Sequence, residues 1–507
     1  MAREWSKYQK AVFDFVKNSR DSAVINAVAG SGKTSTIVEA SKIAAEHGSV
    51  LFLAFNKSIA QELAGKMQGT GVECKTLHSH GFRAIQKKLG YKCKLDDRKW
   101  ENYITDKAQL YFSSDDFDSD AEMNSYIREC VQLLNLARIN FIRRDEKGMM
   151  EQLSQLAEHH NFDVDETQLR IVNDTLGLVY TLTDVIDFTD MITLPLKKSL
   201  QKYLPKYDTV FVDEAQDLSK AQRELMLASI KPGGRFIAVG DKMQCINGFA
   251  GSDIESFNNL IKIAGHEFPL SVCYRCGKEI IKHAQEIVPY IEAFEGQVDG
   301  CVHQDVRDLK LVQPGDMLLC RKSAPLISVC LRLIANGLSA QVKGTDIAEG
   351  LKAMVNRTKT KKVETMLGKL QKELDKVVKK LKKQGVKDAD IEYNSLYVTV
   401  QDKIACIEAV SENCTKVEEV INRLNTLFSD TRNGNAIMLS TVHKAKGLEA
   451  DNVFILLPDC LPLLRKDQKQ WEIDQEYNLK YVAITRAKKN LYYVNLSQKE
   501  LKTVEVR

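Results

Sequence analysis

The run Ala27-Val28-Ala29-Gly30-Ser31-Gly32-Lys33-Thr34 decides how this chain is read. It follows a short apolar segment, Ala23-Val24-Ile25-Asn26-Ala27, and precedes a helical pattern. Glycines without Cβ atoms let backbone N–H groups wrap a phosphate chain, and the helix that follows offers its positive end to the anion. In such a loop Ala29, Gly30, Ser31 and Gly32 line the phosphates. Lys33 reaches the β- and γ-phosphates and Thr34 ligates Mg²⁺. Ala27 stands where the first glycine of GxxxxGK[ST] is usual.

Working outward, Gln9–Lys17 reads as a helix and Val50–Phe55 as a second buried strand. Strand, small or polar residues and helix repeat in the βαβ rhythm of a parallel sheet. Residues 91–205 are mainly helical, with an acidic break at Asp115-Asp116-Phe117-Asp118-Ser119-Asp120 that reads as a solvated loop. Strand signals return at Thr209–Val212 and Phe236–Val239. A second α/β segment starts near residue 270, with strands at Met317–Cys320, Ala436–Ser440 and Val453–Leu457. It closes with a helix around Leu479–Lys488 and a strand at Leu491–Val494. The fold class is α/β. The expected partition is a first α/β domain over 1–90 and 206–269 with a helical insertion at 91–205. A second covers 270–350 and 431–507, with a basic helical insertion at 351–430.

Composition bounds the partners. At roughly 100–200 residues per domain, 507 residues imply three or four domains. With 72 basic and 68 acidic residues the net charge is only +4, so a nucleic-acid site must be a local groove, not the whole surface. The exception is residues 351–384, where eleven Lys and one Arg face three acids, a net +9. There Val363, Leu367, Leu370, Leu374, Val377 and Leu381 recur at alternating spacings of four and three, as in a coiled-coil seam. Its charged side suits a solvated face, contact with a phosphate backbone, or docking to an acidic protein partner. The twelve cysteines follow no disulfide frame, and the single CxxC, Cys273 and Cys276, supplies half a zinc site and reads as packing. No signal-like run opens the chain and no apolar stretch of about 18 residues occurs, so the cytoplasm is the default expectation and no membrane is involved.

Two carboxylates end the apolar run Val210-Phe211-Val212-Asp213-Glu214. Asp213 is suited to hold Mg²⁺, and Glu214 to orient or deprotonate an attacking water. Cleavage also needs positive charge at the γ-phosphate. Arg275 and Arg486 are candidates, although spacing alone allows either to be an ordinary surface arginine.

Taken in order, the motifs resemble superfamily 1A helicases of the UvrD/Rep/PcrA type, across about residues 5 to 495. Gln9 looks like the adenine-reading glutamine, and 27–34 matches the AxAGSGKT form, which accounts for Ala27. Phe55, Asn56 and Lys57 resemble motif Ia, and Thr76 and His78 motif Ib. Both contact single-stranded nucleic acid in that family. Asp213-Glu214-Ala215-Gln216-Asp217 resembles motif II. Gly240-Asp241-Lys242-Met243-Gln244 resembles motif III, where Gln244 links the γ-phosphate to the strand. Tyr274-Arg275 fits motif IV. Thr441, His443, Lys444 and Glu449 lie in a stretch like motif V, and 481–488 resembles motif VI. The resemblance implies two RecA-like P-loop domains with helical insertions, and ATP and Mg²⁺ held by Gln9, 29–34, Arg275, Glu449 and Arg486. It also implies 3′-to-5′ movement on single-stranded DNA. His78 and His443 then become strand contacts, where a lone histidine would otherwise read as packing.

Three features depart from the pattern. Asn247 and Ala250 replace a base-stacking tyrosine and an arginine, leaving Phe249 as the available ring. Gln475-Glu476-Tyr477-Asn478 lacks a usual basic pair. The 351–430 insertion is shorter than the family's 2B domain. A helicase acting on single strands and duplex junctions is therefore expected. The alternatives are a nucleic-acid-stimulated ATPase that displaces proteins or serves a larger complex, and a P-loop switch indifferent to DNA.

Overall fold

Parallel strands buried on both faces read as continuous apolar runs, and this chain supplies two sets of them. The computed structural model describes residues 4–90, 93–108, 111–112, 120–143, 148–162, 164–246, 248, 255–383, 385–392, 394–428, 436–466 and 468–506. The acidic break at 115–119 and the departures at Asn247, Phe249 and Ala250 lie outside the described residues. The chain forms two compact units, residues 1–28 with 32–270, and residues 29–31 with 271–507.

The first unit is built on a six-stranded parallel sheet of β1 (Ala23–Ala27), β2 (Val50–Ala54), β3 (Val72–Thr76), β4 (Tyr207–Val212), β5 (Ile230–Gly240) and β6 (Glu267–Leu270). Their spatial order is β3-β2-β4-β5-β1-β6. Side chains alternate across it: Leu51, Leu53, Val210, Val212 and Phe236 feed one face, while Val50, Phe52, Phe211, Ile237 and Val239 feed the other. The helical segment between β3 and β4 has a core of its own, around Trp100, Ile104, Leu133, Leu153 and Val172. A buried ion cluster ties it to the chain entering β4: Arg138 donates to both oxygens of Asp187 (2.6 and 2.9 Å) and to Asp190 (2.6 Å), and Lys99 pairs with Asp190 (3.0 Å).

The second unit repeats the plan with β7 (Cys301–Val306), β8 (Met317–Cys320), β9 (Ala340–Val342), β10 (Ile437–Thr441), β11 (Ala450–Leu456) and β12 (Ala487–Val494). The order is β7-β12-β11-β8-β10-β9, again all parallel. The expected helix at Leu479–Lys488 is displaced: it spans Gln470–Ile484, and Ala487 already pairs with Ala450. Lys488, Lys489 and Asn490 give the start of β12 a polar surface that hides it as a strand.

Helix Val363–Lys383 buries Val363, Met366, Leu370, Leu374 and Leu381, so Met366 takes a place in the seam while Leu367 and Val377 are only half-buried. Val363, Met366, Leu370 and Leu374 share one core with Leu318, Leu439 and Phe454 of the sheet and with Leu326, Cys330 and Leu333 of helix Ser323–Ala335. Unlike the first unit's helical segment, this one is not separately cored. All twelve cysteines are free thiols. Among the described residues no helix is long and apolar enough to cross a membrane.

Candidate functional site

In the first unit the ends of β1, β4 and β5 gather the residues of the phosphate loop and of the two carboxylate motifs. Lys33 opens helix Lys33–Ala45. The N-cap, Gly32, sits at φ 79° and offers no side-chain cap to the first-turn N–H groups. The Thr34 hydroxyl donates to Asp213 Oδ2 (3.3 Å). Lys33 Nζ lies 4.0 Å from Asp241 Oδ2 and donates to the Ala27 carbonyl (3.5 Å). Burial, and then the neighbouring Glu214, push the Asp213 carboxyl up to about 7, with Lys33 opposing. Burial raises Asp241 as well.

Asp213 and Asp241 thus face one ammonium, with the Glu214 carboxylate beside both, a donor set deficient in positive charge. Hard oxygen ligands of this kind suit Mg²⁺, with Thr34 and Asp213 placed to hold it, and the loop suits a triphosphate.

Glu214 adopts a left-handed backbone (φ 53°, ψ 41°), uncommon for a residue with a side chain and frequent at functional sites. Its carboxylate accepts from Gln216 Nε2 (2.5 Å), while Gln216 Oε1 accepts from the Asp241 N–H (3.0 Å). Gln244 Nε2 donates to Asp241 Oδ2 (2.7 Å). Gly240 makes room for this arrangement: a Cβ there would lie 2.3 Å from Gln216 Oε1. Sequence reasoning passed over Gln216 and Asp241, because their meeting depends on the β4–β5 register (Val212 opposite Ala238) and not on any local pattern. Gln9 is buried beside the same helix. Its Oε1 accepts from the Ser6 N–H (3.0 Å) and its Nε2 donates to Thr36 (2.9 Å). The first role visible for Gln9 is therefore as a helix cap.

The second unit holds the arginines. Arg275 pairs with Glu449 (2.7 Å), which also receives Lys488 (2.7 Å). Arg486 is 1% exposed, which removes the surface-arginine reading: Nε donates to the Val482 carbonyl (2.9 Å), Nη1 to the Leu448 carbonyl (3.0 Å) and Nη2 to the Thr485 hydroxyl (3.1 Å). Ala29, Gly30 and Ser31 are grouped with this unit.

Two family models match this chain: the UvrD/REP helicase N-terminal domain over residues 8–264 and the UvrD-like helicase C-terminal domain over 141–498. The chain belongs to the UvrD/Rep helicase family. It is 24% identical to F-box DNA helicase protein 1 of Schizosaccharomyces pombe, over 95% of this chain and 56% of that protein. It is 25% identical to F-box DNA helicase 1 of Gallus gallus, over 92% and 46%. A probable DNA helicase II homolog of Mycoplasma pneumoniae is 25% identical over 78% of this chain and 71% of its own. The chain spans about half the length of the first two.

The family's strand-contacting positions divide between the two units. In the first, a shallow depression is lined by Asp213, Phe55, His78, Leu77 and Gln222, so the Asp213 carboxylate adjoins the residues that resemble motifs Ia and Ib. Phe55 is 50% exposed and Lys57 is exposed. Asn56 and Thr76 cap helices, accepting from Ile59 (2.9 Å) and Ser79 (3.1 Å). Phe188, unremarked in sequence, is 49% exposed and stands edge-on to His78 (6.0 Å). In the second unit Thr441 ends β10 and Lys444 pairs with Asp346. Burial, with Arg321 adding to it, holds His443 down at about 3, so that ring is neutral. Glu476, in the stretch that lacks the basic pair, is buried and takes a two-pronged contact from Arg321 (2.7 and 3.0 Å).

Proposed function

We propose that this chain is an ATP-dependent DNA helicase that moves along single-stranded DNA, 3′ to 5′. In this reading ATP and Mg²⁺ sit on the first unit at Lys33, Thr34 and Asp213, and Glu214 prepares the attacking water. Arg275 and Arg486 of the second unit are the candidates for the positive charge that γ-phosphate cleavage needs. The observation that carries the reading is the continuous hydrogen-bonded network from Glu214 through Gln216 to Asp241 and Gln244, with Lys33 beside it. The exposed rings Phe55 and Phe188 beside His78 support a stacking platform for unpaired bases. Polarity and the choice of DNA rest on family membership.

The test is ATP turnover and strand separation on matched DNA and RNA duplexes with 3′ or 5′ tails. DNA-stimulated turnover with unwinding of the 3′-tailed duplex is expected; turnover indifferent to nucleic acid would overturn the reading. A second reading, a stimulated ATPase that displaces bound proteins with weak unwinding, is favoured by one feature. Among the described residues, most of the buried side chains of the 351–427 helices belong to the second sheet's core. Strong protein displacement beside weak strand separation would select it.

A further inference from the structure

In the second unit three charged side chains meet from three separate stretches of chain. Arg275 follows the short strand Val272–Cys273, Glu449 stands just before β11, and Lys488 is the second residue of β12. Glu449 serves two cations at once: Oε2 pairs with Arg275 Nε (2.7 Å) and Oε1 with Lys488 Nζ (2.7 Å). Burial works to raise the Glu449 carboxyl, but Lys488, Arg275 and Arg486 outweigh it and hold it below the usual carboxylate range. The Lys488 main chain is engaged as well, its carbonyl accepting from the Gly277 N–H (2.8 Å), two residues beyond Arg275. Lys488 thus reaches the stretch that carries Arg275 through its backbone, and Arg275's own partner through its side chain.

We propose that Lys488 is a positioning residue that lets Arg275 leave Glu449 for the γ-phosphate. The proposal rests on the ATPase reading above and deepens the part that Arg275 plays in it. The two arginine candidates differ in what their release costs. Arg486 is buried and donates to two carbonyls and a hydroxyl, so moving its guanidinium would strand buried acceptors. The Arg275 side chain is 22% exposed and its ion-pair partner is Glu449, with the Thr485 carbonyl at 3.5 Å. A guanidinium drawn to a phosphate from there breaks one ion pair. With Lys488 in place, the carboxylate left behind keeps a cation on its other oxygen. Without Lys488, the same exchange leaves a half-buried carboxylate without either cation, and in the resting site the full attraction of Glu449 falls on Arg275. Lys488 therefore loosens the grip of Glu449 on Arg275 before the exchange and keeps Glu449 paired after it. All three side chains are partly exposed, so the effect has the size of a partly exposed ion pair, about 2–5-fold in rate.

The test is steady-state ATP turnover of the full chain with saturating oligo(dT), across ATP concentrations. Wild type is compared with Lys488→Met, Lys488→Arg, Glu449→Gln and the double variant Lys488→Met with Glu449→Gln. Lys488→Met should lower kcat by about 2–5-fold with the KM for ATP little changed. Lys488→Arg, which restores the cation, should return kcat to near wild type. In the Glu449→Gln background the carboxylate that holds Arg275 is gone, so Lys488→Met should add no further loss. An unchanged kcat in Lys488→Met overturns the proposal, as does a loss of the same size in the Glu449→Gln background. A loss that Lys488→Arg does not restore overturns it in favour of a structural role, and a loss confined to KM in favour of nucleotide binding. Thermal melting checks each variant; if Lys488→Met melts well below wild type, Lys488→Gln takes its place under the same criteria. A wild-type chain that turns over ATP and loses turnover on Arg275→Ala, but is indifferent to Lys488→Met, defeats the proposal alone. A wild-type chain without turnover defeats the ATPase reading and the proposal together.

Discussion

The two parallel sheets carry opposite charge at their functional ends. The first unit sets Asp213, Glu214 and Asp241 near Lys33, an arrangement left short of positive charge. The second unit sets out Arg275, Arg486 and Arg321, each already engaged: by Glu449, by backbone carbonyls and by Glu476. On the proposed reading the first site takes a cation and the phosphates the cation accompanies. The second can act on a phosphate only by exchanging a bond it already makes. The same fold thus yields one site rich in carboxylates and another whose cations are already bonded, and substitutions should separate the two.

The largest effects belong to the first site. Lys33→Ala removes the ammonium that faces Asp213 and Asp241, and ATP turnover should fall by about 10³-fold or more while the melting temperature stays near wild type. Steady-state turnover and thermal melting check this, and near-normal turnover breaks the comparison. Glu214→Gln keeps the side chain's shape but cannot take a proton. Turnover should drop by about 10²–10⁴-fold with nucleotide binding retained, as read by fluorescent-nucleotide titration beside single-turnover hydrolysis.

Next come the arginines, where the comparison is sharpest. Arg486→Ala strips donors from the Val482 and Leu448 carbonyls in a buried setting, at a cost of about 1–3 kcal/mol, besides lowering turnover. Arg275→Ala breaks a partly exposed pair with Glu449, worth at most about 1 kcal/mol, so turnover should fall with little loss of stability. Chemical denaturation beside turnover distinguishes them. Equal stability losses would mean the second unit does not hold its arginines unequally.

A smaller effect tests the linkage inside the first site. Gly240→Ala sets a methyl where Gln216 Oε1 lies, without touching a group that meets ATP. Displacing Gln216 frees Glu214, and the maximal rate should fall by about 10–10²-fold with the KM for ATP little changed. Gln216→Ala should match it. A change confined to KM would show that Gln216 supports nucleotide binding and not the base.

Much of this was legible in the sequence. The loop at 27–34 and the apolar strands 23–27, 50–54 and 317–320 follow local rules: glycine where backbone must approach a ligand, and continuous apolar runs where both faces of a strand are covered. What was not legible depends on contacts distant in sequence. Gln216 meets the Asp241 N–H because neighbouring strands end at the same level. The motif singles out Arg486, but spacing alone leaves open a surface arginine; its burial and its carbonyl partners come from the fold. Strand β7 was missed for a related reason: Cys301-Val302-His303-Gln304-Asp305-Val306 lies at a sheet edge, largely exposed, and needs no apolar run.

The smallest prediction returns to charge. Burial holds His80 down at about 4 and, with Arg321 adding to it, His443 down at about 3, one histidine in each unit. Each folded value lies below the ordinary value near 6.5, so above that pH both states are neutral and these groups add no pH dependence. As pH falls below about 6.5 the unfolded chain takes up protons that the folded chain refuses, and stability declines until the folded values are reached. Melting temperature should therefore fall between pH 6.5 and 5, and His80→Gln or His443→Gln should each flatten part of that fall. For His443 there is a further consequence: a neutral ring gives a strand no ionic contact. The salt slope of single-strand binding should be the same for His443→Gln and wild type at pH 6 and at pH 8. A slope that steepened at pH 6 only in the wild-type chain would show that His443 takes up a proton in the bound state.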